Sequence, residues 1–192
     1  MDIVRLDQDI TLAINGLHND FSDVVWHAFS TSHIWIPLYL IIVVFIVWKA
    51  GWKKGLVYVA VIVLCFALCD QFATLIKNYV CRPRPCHEPF MLQNGLRLLE
   101  DAGGQYGFFS SHASNAFGLA VTSTQAVNAA YKRPQRWFSW LLYIWATLVS
   151  VSRIFVGKHY LGDILTGMLV GLVLGSVMAS LGHWICSRLT DR

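Results

Sequence analysis

Apolar segments of transmembrane length limit the fold of this chain more than any other feature. A helix that spans a bilayer needs about 20 mostly apolar residues. Segments close to that length lie near 33–50, 55–77, 110–130, 136–155 and 160–186. Only 14% of the 192 residues are charged, against about 25% in soluble domains. We therefore predict an all-α, polytopic membrane protein in which residues 1–192 form a single integral membrane domain with about five transmembrane helices.

The first 30 residues have a different pattern. Apolar residues recur there at helical spacing between polar ones, and Gly16, Asn19 and Asp20 interrupt the pattern. Such a pattern is typical of amphipathic helices that lie at the membrane interface. A cleavable signal peptide is not expected, because the segment lacks a basic start and an apolar core. It also contains the aspartates Asp2, Asp7, Asp9, Asp20 and Asp23.

The basic residues of the loops predict the orientation in the membrane. One side of the predicted bundle carries dense clusters, formed by Lys49, Lys53, Lys54, Lys132, Arg133, Arg136, Arg188 and Arg192. The other side has nearly as many basic residues, but they are dispersed and accompanied by most of the acidic ones. Because basic clusters in short loops favour the cytoplasmic side, we predict that the 78–109 loop and the 153–159 turn face outward. Residues 90–101 of this loop form either a short interfacial helix or, as Gly95 favours, an ordinary membrane-dipping loop.

The segment from Ser152 to Asp163 lies between two apolar segments and carries a distinctive polar pattern. His159 and Asp163 are four residues apart, so they share one face if the segment is helical. A carboxylate in this position can accept the proton of one imidazole nitrogen and leave the other nitrogen free to attack. Arg153 can bring a cationic group to the same point, which favours phosphoryl chemistry. A polar hinge between two membrane helices is the alternative.

Two further polar clusters lie at the ends of predicted spans. Lys77 ends the second span and precedes Arg84-Pro85, and Ser110 and His112 open the third span. A serine before a helix can cap its first backbone N–H groups, which form an anion site. Under the predicted topology all three clusters lie on the same side of the membrane. Cations, a helix N-terminus and two histidines there provide what a phosphate site needs.

The three clusters resemble the signature of the type 2 phosphatidic acid phosphatase family, which is K-x6-R-P, P-S-G-H and S-R-x5-H-x3-D. The sequence reads Lys77-x6-Arg84-Pro85, then Phe109-Ser110-Ser111-His112, and then Ser152-Arg153-x5-His159-x3-Asp163. The first and third parts match fully, whereas the second part has Phe109 for proline and Ser111 for glycine. Ser111 keeps the backbone N–H unless the turn requires a positive φ. These departures therefore concern the local geometry and not the reaction class.

The resemblance implies a role for each matched residue. His159 attacks phosphorus and becomes a phosphohistidine, while Asp163 orients its ring. His112 protonates the leaving lipid oxygen and then helps to activate water. The phosphate and the transition-state charge are stabilised by the rest of the signature, namely Lys77, Arg84, Arg153, the Ser110 hydroxyl and the Ser111 backbone N–H.

The family resemblance also implies a function and a location. It implies a lipid phosphatase of the bacterial inner membrane with its active site facing the periplasm, built on the helical core that the family shares with soluble vanadium-dependent haloperoxidases. Among small bacterial members, lipid A 4′-phosphatases are the first choice, and undecaprenyl diphosphate and phosphatidylglycerol phosphate phosphatases are the alternatives. An anion transporter is the alternative of another class, but the chain lacks the repeat symmetry of many transporters.

We expect the partners to be a membrane lipid phosphate and the bilayer, with no cofactor, no metal and no obligate protein partner. Acidic residues are too scarce for a metal cluster once Asp163 is assigned to His159. The adjacent Cys86 and His87 are a weak zinc signal without a second pair of ligands. The net charge of +4 is too small and dispersed for nucleic acid binding.

The remaining polar residues leave alternatives open. Asp70 lies two turns before Lys77 on the same helix face, and it either supports the site from below or, as we favour, ties two helices together. Arg82 and Arg97 either bind a second phosphate or are solvated.

The loop cysteines are a further open point. Cys81 and Cys86 bracket the two arginines of the Arg82–Pro85 segment. A disulfide between them would fix this segment in an oxidising compartment.

Overall fold

The computed structural model of the chain describes residues 2–189. Within them the chain forms helices α1 (Ile3–Asn15), α2 (Asp20–Ser30), α3 (Ile36–Ala50), α4 (Trp52–Val80), α5 (Pro89–Gln93), α6 (Ser111–Tyr131), α7 (Arg136–Phe155) and α8 (Leu161–Arg188). Short 3-10 helices cover Ser32–Trp35 and Pro85–His87. In this part of the chain the β-structure is limited to one isolated bridge between Pro83 and Tyr106. The prediction of an all-α fold is therefore confirmed.

Four helices are long and apolar enough to cross a membrane. They cover Ser32–Ala50, Trp52–Val80, Arg136–Phe155 and Leu161–Arg188, and they correspond to four of the five predicted spans. The fifth predicted span is α6, which is a helix of 21 residues but is less apolar than the other four. Its composition follows from its position, because α6 packs against α3, α4, α7 and α8. A helix surrounded by protein can carry small and polar residues that lipid would not tolerate.

Close packing of α8 against α6 brings their N-terminal ends together. A Cβ atom added to Gly167 would lie 2.5 Å from the backbone oxygen of Ser110, and one added to Gly171 would lie 2.4 Å from that of Ser114. Glycines spaced by four residues therefore form a flat face on α8 on which the α6 backbone rests. This contact fixes the start of α6 beside the start of α8, where the backbone N–H of Ser110 donates to the backbone oxygen of Asp163 at 3.1 Å.

The helices predicted in the N-terminal segment are present and amphipathic. α1 begins at the N-cap Asp2, whose carboxylate accepts from the Val4 backbone N–H. α2 begins with a reciprocal capping box between Asn19 and Ser22. Their apolar outer faces are exposed at Ile3, Val4, Phe21 and Val24, whereas the opposite faces contact α7 and α8. An exposed apolar face next to transmembrane helices is the geometry of interfacial helices.

The loop between α4 and α6 is helical over only part of residues 90–101, for which the sequence left a short helix and an ordinary loop as alternatives. α5 ends at Gln93, and Gly95 has a φ of +83°, so the loop interpretation is correct for residues 94–101. The proposed disulfide is absent, because both cysteines are free. The exposed Cys81 thiol is directed to the Asn78 carbonyl, whereas the buried Cys86 thiol is directed to the Ala102 carbonyl. The two thiols thus have different partners.

Candidate active site

A buried histidine–aspartate pair lies at the turn between α7 and α8. Gly157, with a φ of +77°, lies in this turn, and α8 starts two residues after His159. The His159 ring is 2% exposed, and its Nδ1 lies 3.3 Å from Oδ2 of Asp163. The same carboxylate oxygen accepts the Tyr160 backbone N–H at 3.1 Å. The spacing of four residues therefore produces the predicted contact, although His159 lies just before the helix.

Arg82 holds the second oxygen of the Asp163 carboxylate. Its Nη1 lies 2.9 Å from Oδ1 of Asp163, and its Nη2 lies 2.8 Å from Oδ2 of Asp7 in α1. Its guanidinium also stacks 4.0 Å above the Tyr160 ring centroid. Both sequence interpretations of Arg82 are wrong, because a cation shared by two carboxylates is neither a free phosphate ligand nor a solvated side chain. Arg97 likewise forms an ion pair, with Asp23 of α2.

The inner face of α1 binds both sides of this turn. Asp7 accepts the Gly162 backbone N–H at 2.9 Å, and Thr11 accepts the Leu161 backbone N–H at 3.0 Å. These are N–H groups of the first turn of α8, which have no partner within the helix. Asn15 donates to the Ile154 and Phe155 carbonyls at 3.0 and 3.1 Å. Side chains spaced by four residues on α1 thus satisfy the end of α7 and the start of α8.

The start of α6 brings the second predicted histidine to the same end of the bundle. Ser110 is the N-cap, and its hydroxyl accepts the Ala113 backbone N–H at 3.4 Å. Nε2 of His112 lies 3.2 Å from the Ser32 hydroxyl. Nζ of Lys77, at the end of α4, donates to the Ser111 hydroxyl at 3.2 Å. The Ser111 side chain, which replaces the glycine of the family signature, therefore holds Lys77 next to the helix N-terminus.

The predicted cation Arg153 is buried and held by residues that the sequence did not indicate. Only 5% of Arg153 is exposed, and its Nη1 lies 3.4 Å from Oε2 of Glu100 in the loop. The same nitrogen contacts the Ser30 hydroxyl at the end of α2, and that hydroxyl also contacts Glu100. No local spacing links these residues, which come from three distant parts of the chain.

A second buried cation, Lys158, lies beside Arg84. A Cβ atom added to Gly103 would lie 3.2 Å from Nη1 of Arg84 and 3.4 Å from Nζ of Lys158, so both cations lie against the same glycine. Burial lowers the pKa of the Lys158 ammonium, Glu100 opposes this change, and the charges of Arg84 and Arg153 lower the pKa further. Its position one residue before His159 was the signal that could have identified it.

The electrostatics of the site favour a neutral His159. Burial lowers the pKa of His159 well below its ordinary value, and the nearby positive charges lower it further. Those charges belong to Arg153, Arg84, Lys77 and Lys158. A neutral imidazole whose Nδ1 faces a carboxylate has a free lone pair on Nε2. The arrangement can therefore perform nucleophilic attack on a group that the surrounding cations attract.

A cavity of about 490 Å³ is lined by His112 and Ser111 and by residues of α3, α4, α6 and α7. We call it the interhelical cavity. Apolar and aromatic side chains such as Trp35, Phe66 and Trp145 form most of its wall. Its polar wall residues beyond the histidine end include Asp70 of α4 and Asn115 of α6.

Asp70 does not tie two helices together in the part of the chain that the structure describes. The Asp70 carboxylate makes no hydrogen bond or ion pair with residues 2–189. The Thr74 hydroxyl donates to the backbone oxygen of Asp70 and not to its carboxylate. Asp70 interacts electrostatically with Lys77. Of the two interpretations, a tie between helices and support of the site from below, the contacts agree better with the second.

The residues between positions 2 and 189 contain no group of three His, Cys, Asp or Glu side chains that could hold a metal ion. Cys86 and His87, the weak zinc signal, interact with the Ala102 and Gly103 carbonyls.

The fold and the site together define an integral membrane phosphatase. The model of the PAP2 superfamily matches residues 54–185, and the chain belongs to this family. The match begins within α4, so it does not include α1, α2 and α3.

Two relatives share sequence over most of this chain. The lipid A 4′-phosphatase of Bacteroides thetaiotaomicron is 31% identical over 96% of this chain and 80% of its own length. The lipid A 4′-phosphatase of Porphyromonas gingivalis is 27% identical over 90% of this chain and 71% of its own length.

A solved structure shares the fold. It is the transmembrane PAP2 type phosphatidylglycerolphosphate phosphatase from Bacillus subtilis, with a TM-score of 0.73 and 20% identity, over 95% of this chain and 87% of that one. The predicted fold class is therefore confirmed by a second line of evidence.

Proposed function

We propose that this membrane lipid phosphatase removes a phosphate from lipid A at its 4′ position through a phosphohistidine at His159. The observation that carries the chemistry is the buried His159, whose Nδ1 lies 3.3 Å from Oδ2 of Asp163 and whose pKa is lowered by burial and by the charges of four basic residues. The substrate follows from similarity over most of the chain to two relatives that bear this activity in their names.

In the first step, Nε2 of His159 attacks phosphorus while Asp163 accepts the Nδ1 proton in a hydrogen bond and stabilises the charge that develops on the ring. The bond between phosphorus and the lipid oxygen breaks, and its electron pair goes to that oxygen. His112 donates a proton to the leaving oxygen. The phosphate is now bonded to nitrogen, and the dephosphorylated lipid can leave.

In the second step, His112 takes a proton from water, and the water oxygen attacks phosphorus. The phosphorus–nitrogen bond breaks, its electron pair returns to His159, and inorganic phosphate leaves. The negative charge of both transition states is stabilised by cations and hydrogen-bond donors. We assign this role to Lys77, Arg84, Arg153, the Ser110 hydroxyl and the Ser111 backbone N–H.

The interhelical cavity supports a lipid as the substrate. It begins at His112 and continues between apolar helices, so an acyl chain can occupy it while the phosphate remains at the membrane interface. A volume of about 490 Å³ is within the range of pockets that bind small molecules, about 300–1,000 Å³. The substrate therefore does not have to leave the bilayer for the reaction.

We infer a location in the bacterial inner membrane with the site facing the periplasm. The clusters Lys49–Lys54 and Lys132–Arg136 lie at the ends of helices opposite His112 and His159, and clusters of this kind favour the cytoplasmic side. Arg192, which belongs to the same predicted side, lies outside the described residues. In a Cys81→Ser background, which removes the exposed native thiol, a cysteine reporter placed at exposed Asn94 should react with an impermeant thiol reagent in intact spheroplasts, whereas one at exposed Lys53 should react only after permeabilisation.

The proposal is tested by phosphate release from the purified protein in detergent. We expect release from lipid A in the presence of EDTA, and slower or no release from undecaprenyl diphosphate, phosphatidylglycerol phosphate and phosphatidic acid. The His159→Ala variant should be inactive, whereas His27→Ala, which changes a histidine with no role in the proposed site, should be active. An alkaline quench of the natural chain during turnover should trap an acid-labile phosphoprotein that the His159→Ala variant lacks.

The outcomes separate the substrate from the mechanism. Faster release from another lipid of the panel would overturn the 4′ assignment and leave the histidine mechanism standing. Equal activity of His159→Ala and the natural chain would overturn the mechanism. No release from any lipid by folded protein would contradict the phosphatase function and favour an anion transporter.

A further inference from the structure

The wall of the interhelical cavity carries unpartnered polar groups at three residues, namely the acceptors of Asn115 and Asp70 and the indole N–H of Trp145, whose Nε1 is buried without a hydrogen-bond partner among residues 2–189. The Oδ1 atom of Asn115 is buried and has no hydrogen-bond partner within residues 2–189. The carboxylate of Asp70, which lines the same cavity, has neither a hydrogen bond nor an ion pair in the described part of the chain. Polar atoms at membrane depth cost free energy unless they find a partner. These groups are therefore candidates for contact with a bound molecule.

The side chains of Asn115 and Asp70 both present unpartnered acceptors, whereas the Trp145 N–H is a donor that an amide or hydroxyl oxygen of the same occupant can satisfy. The carbonyl oxygen of an asparagine side chain accepts hydrogen bonds, and the carboxyl group of an aspartate has accepting oxygens. A lipid tail that consists only of methylene groups cannot satisfy either of them. An occupant that fits both must therefore bring N–H or O–H donors into an apolar cavity.

The positions of the two residues define where the donors must lie. Asp70 precedes Lys77 by seven residues on α4, and a rise of 1.5 Å per residue places it about 10 Å below Lys77 along the helix. Asn115 follows Ser111 by four residues on α6, which is about 6 Å below the helix start. A lipid whose phosphate lies between Lys77 and the start of α6 would thus pass Asn115 first and Asp70 second.

We propose that Asp70 and Asn115 form a binding subsite for amide N–H or hydroxyl groups of the lipid close to its phosphate. The inference rests on the proposed function, because it requires the phosphate to be bound at His159. Amide-linked and hydroxylated acyl chains carry such donors. Ester-linked diacylglycerol phosphates and polyprenyl phosphates carry none in their tails. The subsite therefore selects N-acylated or hydroxylated lipid phosphates from the other phosphorylated lipids of the membrane.

The experiment compares two lipids as competitors of lipid A hydrolysis. Ceramide 1-phosphate has an amide N–H and a hydroxyl near its phosphate, whereas phosphatidic acid of matched chain length has only esters. A hydrogen bond to a charged group changes affinity by about 10- to 100-fold. We expect ceramide 1-phosphate to inhibit the natural chain at least about ten times more strongly than phosphatidic acid.

Variants assign this preference to the two residues. Asp70→Leu and Asn115→Leu should each reduce the ratio of the two inhibition constants towards one and raise the KM for lipid A more than they lower kcat. Asp70→Asn, which keeps a carbonyl oxygen, should retain part of the preference. Gln71→Leu is the matched control, because Gln71 is the exposed neighbour of Asp70 on α4, and it should keep the full ratio.

The two proposals fail in different ways. Absence of lipid A hydrolysis by the natural chain would contradict the proposed function. Hydrolysis of lipid A with equal inhibition by the two lipids, or with inhibition by neither, would overturn the subsite alone. A preference for ceramide 1-phosphate that persists unchanged in folded Asp70→Leu and Asn115→Leu variants would also overturn it. Thermal unfolding of each variant in the same detergent shows whether it is folded.

Discussion

Replacement of Asp7 by asparagine tests whether α1 contributes to the reaction through Asp163. The Asp7 carboxylate accepts from Arg82 at 2.8 Å and from the Gly162 backbone N–H at 2.9 Å. An asparagine keeps one accepting oxygen for Gly162, but it removes the negative charge that holds the second nitrogen of Arg82. Arg82 then has a single carboxylate partner, Asp163, and competes with His159 for it.

The size of the effect follows from the contact that is lost. A hydrogen bond between charged groups contributes about 1.5–3 kcal/mol, and each 1.36 kcal/mol of barrier changes the rate about tenfold. We expect kcat of Asp7→Asn to fall by about 10- to 100-fold. KM should change little, because Asp7 faces Arg82 and α8 and does not line the interhelical cavity.

The assay is steady-state phosphate release from lipid A, measured together with the fraction of folded protein. Asp9→Asn is the matched control, since Asp9 lies on the same helix, is half exposed and pairs only with Arg5 at 3.2 Å. We expect this control to keep the kcat of the natural chain. A merely structural role of Asp7 would lower the unfolding temperature and leave kcat per folded molecule unchanged. That result would refute the argument that α1 positions Asp163.

Three further outcomes follow from the same geometry. Burial lowers the pKa of His159, so as the pH falls the unfolded chain binds a proton at this residue below about pH 6.5, before the folded chain does. The free energy of unfolding should therefore fall as the pH falls below that value. Thermal unfolding should show a smaller decrease for His159→Gln. Gly162→Ala should lower kcat as Asp7→Asn does, because its Cβ would lie 2.8 Å from Oδ2 of Asp7; unchanged kcat would contradict this. Lys158→Met should lower kcat/KM about tenfold, because it removes one of the four positive charges that act on His159 and attract the phosphate, whereas exposed Lys53→Met should not.

Local patterns predicted much of this molecule. The lengths of the apolar segments gave the positions of α3, α4, α7 and α8 to within a few residues. The contact of His159 with Asp163 followed from a spacing of four residues, and the N-cap Ser110 followed from the residue type before a helix. Each of these features depends on neighbours in the chain, so a periodic pattern or a cap contains the information.

Contacts between distant parts of the chain were not predictable in this way. Arg82 contacts Asp7, which is 75 residues away, and Asp163, which is 81 residues away. The sequence showed a basic residue next to the signature, and nothing in the spacing indicated which carboxylates it would meet. The fold shows the same limit at α6. Its hydropathy is low because other helices surround it, and those contacts cannot be read from the length of its apolar segment.

The segment that matches the family model does not contain all the residues that hold the candidate site. The family match begins at residue 54, yet Asp7, Thr11 and Asn15 satisfy the backbone of the turn that holds His159. Ser32 contacts His112, and α3 supplies one wall of the interhelical cavity. A phosphatase that shares the three signature clusters but has other N-terminal helices must cap the start of α8 and bound its lipid cavity by different means. We therefore expect the N-terminal helices to set both the orientation of the histidine and the fit of the lipid tail, although they lie outside residues 54–185, which the family model matches.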